Sequence, residues 1–365
     1  MRVVFKTGYM QDIRPWKDGY QLSLYLVLLV AVCAAPWWMD DFYLGELTNV
    51  LIWAMAGMGL MLLTGHTGQV SLGHAAFLAF GCYTNAVLIE AGAPFAIAFP
   101  AAGILTGIAG VSVAIPALRL HGVYLAIFTL ALSVLMDDII VLAEPLTGGV
   151  GGKYLGDVSI FGLTVGRWTA PDRFFWLVLG ATVMVTLGYI NLLRAPLGRS
   201  FIAVRDSEVS AQAMGVDVSR AKTVSFALSC TVAGWAGALM GMYSGAFNNE
   251  TFNVLISIQL LLMIVIGGLG SIHGAFLGAI VVGFLPQFLS IMKEYVAVMF
   301  KGGAVAIPGL ETGVFGMILI GFILFEPMGM YGRWLKIRTW LELRPFCRKD
   351  MFKRRKSYLK TERLR

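Results

Sequence analysis

The chain has 365 residues, 58% of them hydrophobic and only 13% charged, against ~25% charged in soluble domains. So few charges cannot cover the surface of a water-soluble protein of this length, and lipid must solvate most of the chain. The net charge of +7 belongs to one end: Arg333 to Arg365 hold 13 Lys/Arg against Glu342, Asp350 and Glu362, while the first 332 residues hold 15 basic and 18 acidic. A basic tail behind an apolar body marks the cytoplasmic side of a membrane protein, so nucleic acid is not an expected partner.

In chain order, residues 1–19 form a short basic segment with Arg2, Lys6, Arg14 and Lys17, which lacks the apolar core and cleavage site of a signal peptide. The first hydrophobic segment is therefore expected to be retained. An all-α polytopic membrane domain over 20–332 follows, with about ten transmembrane helices. Stretches of ~20 apolar residues are predicted at 20–38, 43–63, 69–89, 95–118, 122–143, 173–193, 222–245, 253–269, 273–292 and 311–328. With the N-terminus inside, 23 of the 28 basic residues fall on the inner side and five (Lys153, Arg167, Arg173, Lys293, Lys301) on the outer. That split places both termini and the tail 333–365 in the cytoplasm. Gly103/Gly107, Gly237/Gly241, Gly241/Gly245 and Gly274/Gly278 give small-xxx-small spacings that let helix backbones approach closely.

The stretch Gly65 to Phe77 (GHTGQVSLGHAAF) weakens helical continuity with glycines at 65, 68 and 73. It places Gln69, Ser71 and His74 where a span should begin. Irregular backbone at membrane depth must be buried in protein or line a watery path. The stretch is therefore either part of a translocation pathway, with Gln69, Ser71, Gly73 and His74 in it, or a tight turn whose polar groups bond neighbouring helices. His74 to Ala79 (HAAFLA) has an echo in His273 to Gly278 (HGAFLG), each after a glycine-rich uncharged turn.

Asp137 and Asp138 fall late in the fifth span and are expected at the outer interface as solvated charges. Thr147 to Tyr154 (TGGVGGKY) is the nearest approach to a phosphate-binding loop. A true one needs Gly six residues before Lys and Ser or Thr after it, and Thr147 and Tyr154 stand there instead. The chain is therefore not expected to bind a cofactor or hydrolyse ATP itself. Four separated cysteines (33, 82, 230 and 347) suit neither a disulfide framework nor a zinc site. The charged interior segment 195–221 breaks the sixth span at Pro196 and Gly198. A short helix or two should follow, ending at Gly215 with a left-handed cap. Arg199, Arg205, Asp206 and Glu208 mix charges among apolar residues there, which suits a helix docked on a partner or lying at the headgroups, or else a solubilising loop.

At these two segments the sequence resembles the hydrophobic amino acid uptake permeases, in particular the LivM-type subunit of branched-chain amino acid ATP-binding cassette (ABC) importers. The matching blocks are Gly68 to Phe77, Gly122 to Ile127, Leu146 to Gly149, Gly198 to Asp206 with Ala211 to Gly215, and Gly267 to Ser271. They run in order across roughly residues 45 to 330. The resemblance implies the larger ABC-importer permease fold in the inner membrane. It also implies a homologous second permease subunit, two ATP-binding subunits that use ATP and magnesium, and a periplasmic solute-binding protein. Arg199 to Gly215 would match the cytoplasmic coupling loop that docks on an ATPase. A urea or short-amide importer is the nearest alternative substrate class. An ion-coupled secondary transporter would require an intramembrane coupling carboxylate, and no convincing one is evident. A scaffold that recruits lipid through the tail is a third reading.

Overall fold

The structure is a computed structural model that describes residues 19–299 apart from 121 and 161, scattered residues of 313–325, and 329–343. Helices dominate because uninterrupted apolar runs satisfy their own backbone only when helical. The first helix, α1 (Gly19–Cys33), ends in a 3-10 turn at Ala35–Trp37. Next come α2 (Asp41–Met61, extended by a π turn over Leu62–His66), α3 (His74–Glu90), α4 (Phe95–Ala117) and α5 (Val123–Leu142). After a short ribbon region come α6 (Pro171–Arg194), two small helices α7 (Pro196–Asp206) and α8 (Glu208–Ala213), and the long α9 (Val218–Ser244). Finally α10 (Val254–Gly267), α11 (Ile272–Met299) and α12 (Gly329–Leu343) complete the described chain.

Among the described residues, six helices are long and apolar enough to cross a membrane: 41–66, 95–117, 123–142, 171–194, 218–244 and 249–267. They coincide with six of the ten expected spans. The expected span at 69–89 is shorter than predicted, because residues 68–73 are not helical and α3 keeps only 17 residues. The first expected span appears as a shorter apolar helix, Tyr25–Trp37, the ninth falls within the 28-residue α11, whose first part Ile272–Leu285 is apolar, and the tenth, 311–328, lies largely outside the described residues. The expectation of purely helical structure also needs a small correction. Lys153–Tyr154 (β1) pairs antiparallel with Ala246–Phe247 (β4), and Val158–Ile160 (β2) pairs with Leu163–Val165 (β3). Strands of two or three residues leave no hydrophobic period to read.

The central element is α9, which packs against α2, α3 and α4. Small residues allow this. The backbones of Gly81 and Gly234 abut, Gly237 lies against the backbone of Leu78, and Gly103 and Gly107 receive Trp235 and Thr231. A side chain at any of these positions would force the helices apart, where lipid gives no hydrophobic drive to hold them together. Gly274 and Gly278 likewise abut Gly268 and Met263, so three of the four small-residue spacings are packing contacts. Gly245 is the exception, with nothing near it.

The helices alternate in direction, so the connections sort to two ends of the bundle. One end holds the ribbons, where Lys153 pairs with Glu90 and the Arg167 guanidinium sits 3.8 Å from the Tyr243 ring centroid. The ribbon also takes up Thr147 to Tyr154, which passes through a 3-10 turn at Gly149–Gly151 into β1. Asp138 is exposed, one turn before α5 ends. The other end holds α7, α8 and two glycine-rich turns, 65–73 and 267–271.

Candidate pathway and coupling site

The turn between α2 and α3 is built from its own polar groups. The π turn at 62–66 widens the helix end, a form common at functional positions. Gln69 N–H donates to the Leu63 carbonyl (3.1 Å), Thr64 Oγ1 to the Gln69 carbonyl (3.2 Å) and Thr67 Oγ1 to the Leu62 carbonyl (3.2 Å). Gly68 at φ +75° lets the chain turn here. The Tyr189 hydroxyl of α6 meets His66 Nδ1 at 3.0 Å, fixing the turn from the side.

Gln69, Ser71, Gly73 and His74 are all buried, and the three polar side chains are all bonded. Gln69 Nε2 donates to Ser225 Oγ (3.2 Å), and the Lys222 carbonyl lies at 3.5 Å. His74 bonds Ser71 Oγ through Nδ1 (3.3 Å) and Ser229 Oγ through Nε2 (2.8 Å). The Ser229 hydroxyl is already spent on the Gly59 carbonyl (2.5 Å), so it must accept from His74, which puts the ring proton on Nε2. Ser71 then donates to Nδ1, and its oxygen accepts the Gly73 N–H (3.3 Å). The amides at the start of α3 find partners on other helices: Leu72 N–H on Thr129 Oγ1 (2.9 Å) and Ala75 N–H on Ser257 Oγ (2.8 Å). Gly73 has no room for a side chain, because the Thr129 backbone occupies that space. One short motif thus ties α3 to α5, α9 and α10, and its polar groups serve as interhelical contacts.

Sequence reasoning missed the partners. Ser225 and Ser229 are one turn apart on α9, with Lys222 one turn earlier, and this hydroxyl-bearing stripe in an apolar helix was a readable signal.

The second segment sits at the same end of the bundle. Pro196 opens α7, whose Phe201 and Val204 are buried, and Gly198 lies against the Leu192 and Leu193 backbone. Arg199 is exposed in the first turn of α7. Arg205 points back at the bundle: Nη1 donates to the Gly65 carbonyl (3.0 Å), while Nε and Nη2 hold Asp206 Oδ1 (3.0 and 2.9 Å). Ser207 caps α8 by accepting from Ser210 N–H (3.3 Å). Glu208 binds the buried ammonium of Lys222 (2.7 Å), closing α8 onto the start of α9. Gly215 lies just beyond α8 at φ +84°, the left-handed conformation expected of it.

The two segments picked out by sequence are therefore joined directly. Arg205 links α7 to the first turn, and Lys222 contributes to both, through its side chain to Glu208 and its carbonyl to Gln69. Two further residues of α7–α8 carry no sequence signal beyond being apolar in a charged loop. Val209 and Met214 are 80% and 84% exposed and form apolar tips facing away from the protein. Among the described residues no group of three or more His, Cys, Asp or Glu is placed to hold a metal ion.

Comparison with known proteins gives this arrangement its family. The family model described as "Branched-chain amino acid transport system / permease component" matches residues 42–324. The high-affinity branched-chain amino acid transport system permease protein LivM of Escherichia coli is 32% identical over 315 residues, covering 80% of this chain and 74% of that protein. LivM of Salmonella typhimurium is 30% identical with the same coverage. The autoinducer 2 import system permease protein LsrC of an Enterobacter strain is 26% identical, covering 84% of this chain and 86% of that protein. No solved structure matches. The match spans both glycine-rich turns and the α7–α8 segment, and the chain belongs to the permease family of branched-chain amino acid transport systems.

Proposed function

We propose that the chain is the membrane-embedded permease subunit of an ABC importer that moves branched-chain or similar hydrophobic amino acids across the inner membrane. In this reading it pairs with a homologous second permease, two ATP-binding subunits and a periplasmic solute-binding protein. ATP and magnesium act in the ATP-binding subunits, and this chain binds no cofactor. The observation that carries the reading is the direct contact of α7–α8 with the α2–α3 turn through Arg205. A membrane subunit driven from outside needs a rigid point where the drive arrives and a bonded route into its helices. The exposed Val209 and Met214 suit the apolar groove of an ATPase, and Arg199 is exposed on the adjoining α7. Gln69, Ser71 and His74 shape the pathway from behind, by fixing how α3 sits against α5, α9 and α10.

The distribution of Lys and Arg supports a cytoplasmic position for α7–α8, both termini and the tail 333–365. Ten crossings fit this arrangement, with 20–38 and 311–328 as the outermost two. Single cysteines at Glu90 and Glu250 should then label from outside and one at Ser207 should not; the reverse pattern sinks the orientation.

The functional test is uptake by proteoliposomes that contain the whole assembly. ATP-dependent accumulation of labelled leucine that requires the solute-binding protein is the expected result. Uptake driven by an ion gradient without ATP would overturn it. A second substrate reading has one observation behind it, the similarity to permeases named for autoinducer 2 import, so the uptake panel includes autoinducer 2 and urea beside the amino acids. Preference for either places this chain in that substrate class.

A further inference from the structure

The two glycine-rich turns meet at one point, and one side chain lies over the meeting. Gly65, at the end of α2, and Gly270, between α10 and α11, touch backbone to backbone. A methyl group on Gly65 would come within 2.8 Å of the Gly270 nitrogen. Gly270 N–H donates to Met61 Sδ (3.1 Å), and Gly270 has φ +77°, so no side chain separates the turns. The Arg205 stem lies on Gly68, 3.2 Å from where a Cβ would stand, and its Nη1 is 3.5 Å from the equivalent point on Gly270 while bonding the Gly65 carbonyl.

We propose that Arg205 is a positioning residue that clamps the α7–α8 segment to both turns at once, so that a displacement of that segment moves the α2–α3 and α10–α11 pairs together. The inference rests on reading α7–α8 as the docking segment. It differs from that reading in assigning Arg205 to the inner side of the contact, facing the permease's own turns, with Val209 and Met214 facing the ATPase. Arginine is suited to this task because its planar fork serves two directions simultaneously. Nε and Nη2 are fixed by Asp206, and that aims Nη1 at the carbonyl. Asp206 thus orients the clamp. A lysine offers one ammonium and cannot hold both partners in this geometry. The joined turns each lead into a helix start, α3 at His74 and α11 at Ile272, so one contact reaches both halves of the bundle.

The test uses the full-length permease in nanodiscs for hydrogen exchange and the complete importer in proteoliposomes for transport. Arg205→Gln should raise deuterium uptake in both 65–69 and 268–271 while leaving the ribbon at 153–165 unchanged. In the complete importer, leucine taken up per ATP hydrolysed should fall about tenfold, within the range of typical coupling energies, with the ATP-binding subunits still co-purifying. Arg205→Lys should give intermediate values in both measurements, and it carries the test if the glutamine variant does not fold. Asp206→Asn should show the same signs at smaller size. Unchanged exchange in either turn, an unchanged uptake ratio, or loss of the ATP-binding subunits from the complex would each overturn the clamp. If the wild-type assembly takes up none of the tested amino acids, the proposed function fails on its own, and the exchange measurement still decides the role of Arg205.

Discussion

The turns at 65–73 and 267–271 share a plan and differ in what holds them. In both, a glycine closes or follows the preceding helix, a serine two or three residues before a histidine folds back on the backbone, and that histidine lies in the first turn of the next helix, His74 as the first residue of α3 and His273 as the second of α11. Ser71 Oγ accepts the Gly73 N–H, and Ser271 Oγ accepts the Gly274 N–H (3.0 Å) while donating to the Gly268 carbonyl (3.1 Å). The first histidine, His74, is buried among Ser71 and Ser229. The second, His273, is exposed, stacks on Tyr331 of α12 with ring centroids 5.3 Å apart, and bonds the Tyr25 hydroxyl of α1 (2.6 Å). The same local plan is anchored once to the bundle interior and once to the helices that flank the chain. The first turn is therefore a fixed joint, and the second is a joint that α1 and α12 can reach.

This difference predicts a graded response to mutation. The largest effect is expected for His74→Ala, which removes both ring bonds, leaves Ser229 and Ser71 short of a partner and opens a cavity, for a loss of about 3 kcal/mol. It should appear as a clear fall in the thermal unfolding midpoint of the detergent-solubilised permease, and an unchanged midpoint would break the comparison. Gly65→Ala comes next, at about 2 kcal/mol, because the new methyl meets Gly270 backbone that cannot yield as a flexible side chain would. Gly270→Ala costs about 1 kcal/mol through its positive φ, so these two variants together separate collision from strain. The smallest change belongs to His273→Ala, below about 0.5 kcal/mol for an exposed ring. Its effect should instead be faster proteolysis within α12. If His273→Ala destabilises the permease as much as His74→Ala, the two turns are equivalent and the distinction between them falls.

A further test concerns the link to α9. Glu208→Gln leaves the Lys222 ammonium buried without its counter-charge, at a cost of about 1 to 2 kcal/mol after allowing for the half-exposed carboxylate. Co-substitution of Lys222→Met should recover most of that loss, and failure to recover would show that Glu208 acts through another partner.

Much of this architecture was legible in the sequence because lipid makes the rules severe. Charges and prolines bounded six of the long helices to within a few residues, and the glycines at 65, 68 and 73 announced a break. The length of α3 was overestimated because Gln69 to Gly73 are apolar enough on average to extend a span, although the bonds they make are those of a turn. The polar motif was visible as an anomaly, but its partners were not. Ser225, Ser229, Ser257 and Thr129 look like ordinary residues of apolar helices until their helices are set side by side. Arg205 shows the same limit from the other side. A short helix with charges on several faces does not reveal which charge turns inward, and only the position of the Gly65 carbonyl decides it. The ion pair between Glu208 and Lys222 depends on a reversal at Gly215, where the cap was foreseeable and the pairing was not.

The bonding of the start of α3 also sets an order of events during synthesis. Ala75 leaves its N–H to Ser257, 182 residues later in the chain. At translation rates of about 5 to 20 residues per second, roughly 10 to 40 seconds pass before that hydroxyl is made. Through that interval the amide of Ala75, the ring of His74 and the amide of Gln69 must be hydrated or held by the insertion machinery, because the hydrocarbon offers them nothing. The hairpin of α2 and α3 thus enters the membrane unfinished, and the arrival of α9 and then α10 closes it. A ribosome stalled before residue 225 should leave a nascent chain whose residues 65–75 remain open to water-borne reagents, and release of the stall should bury them.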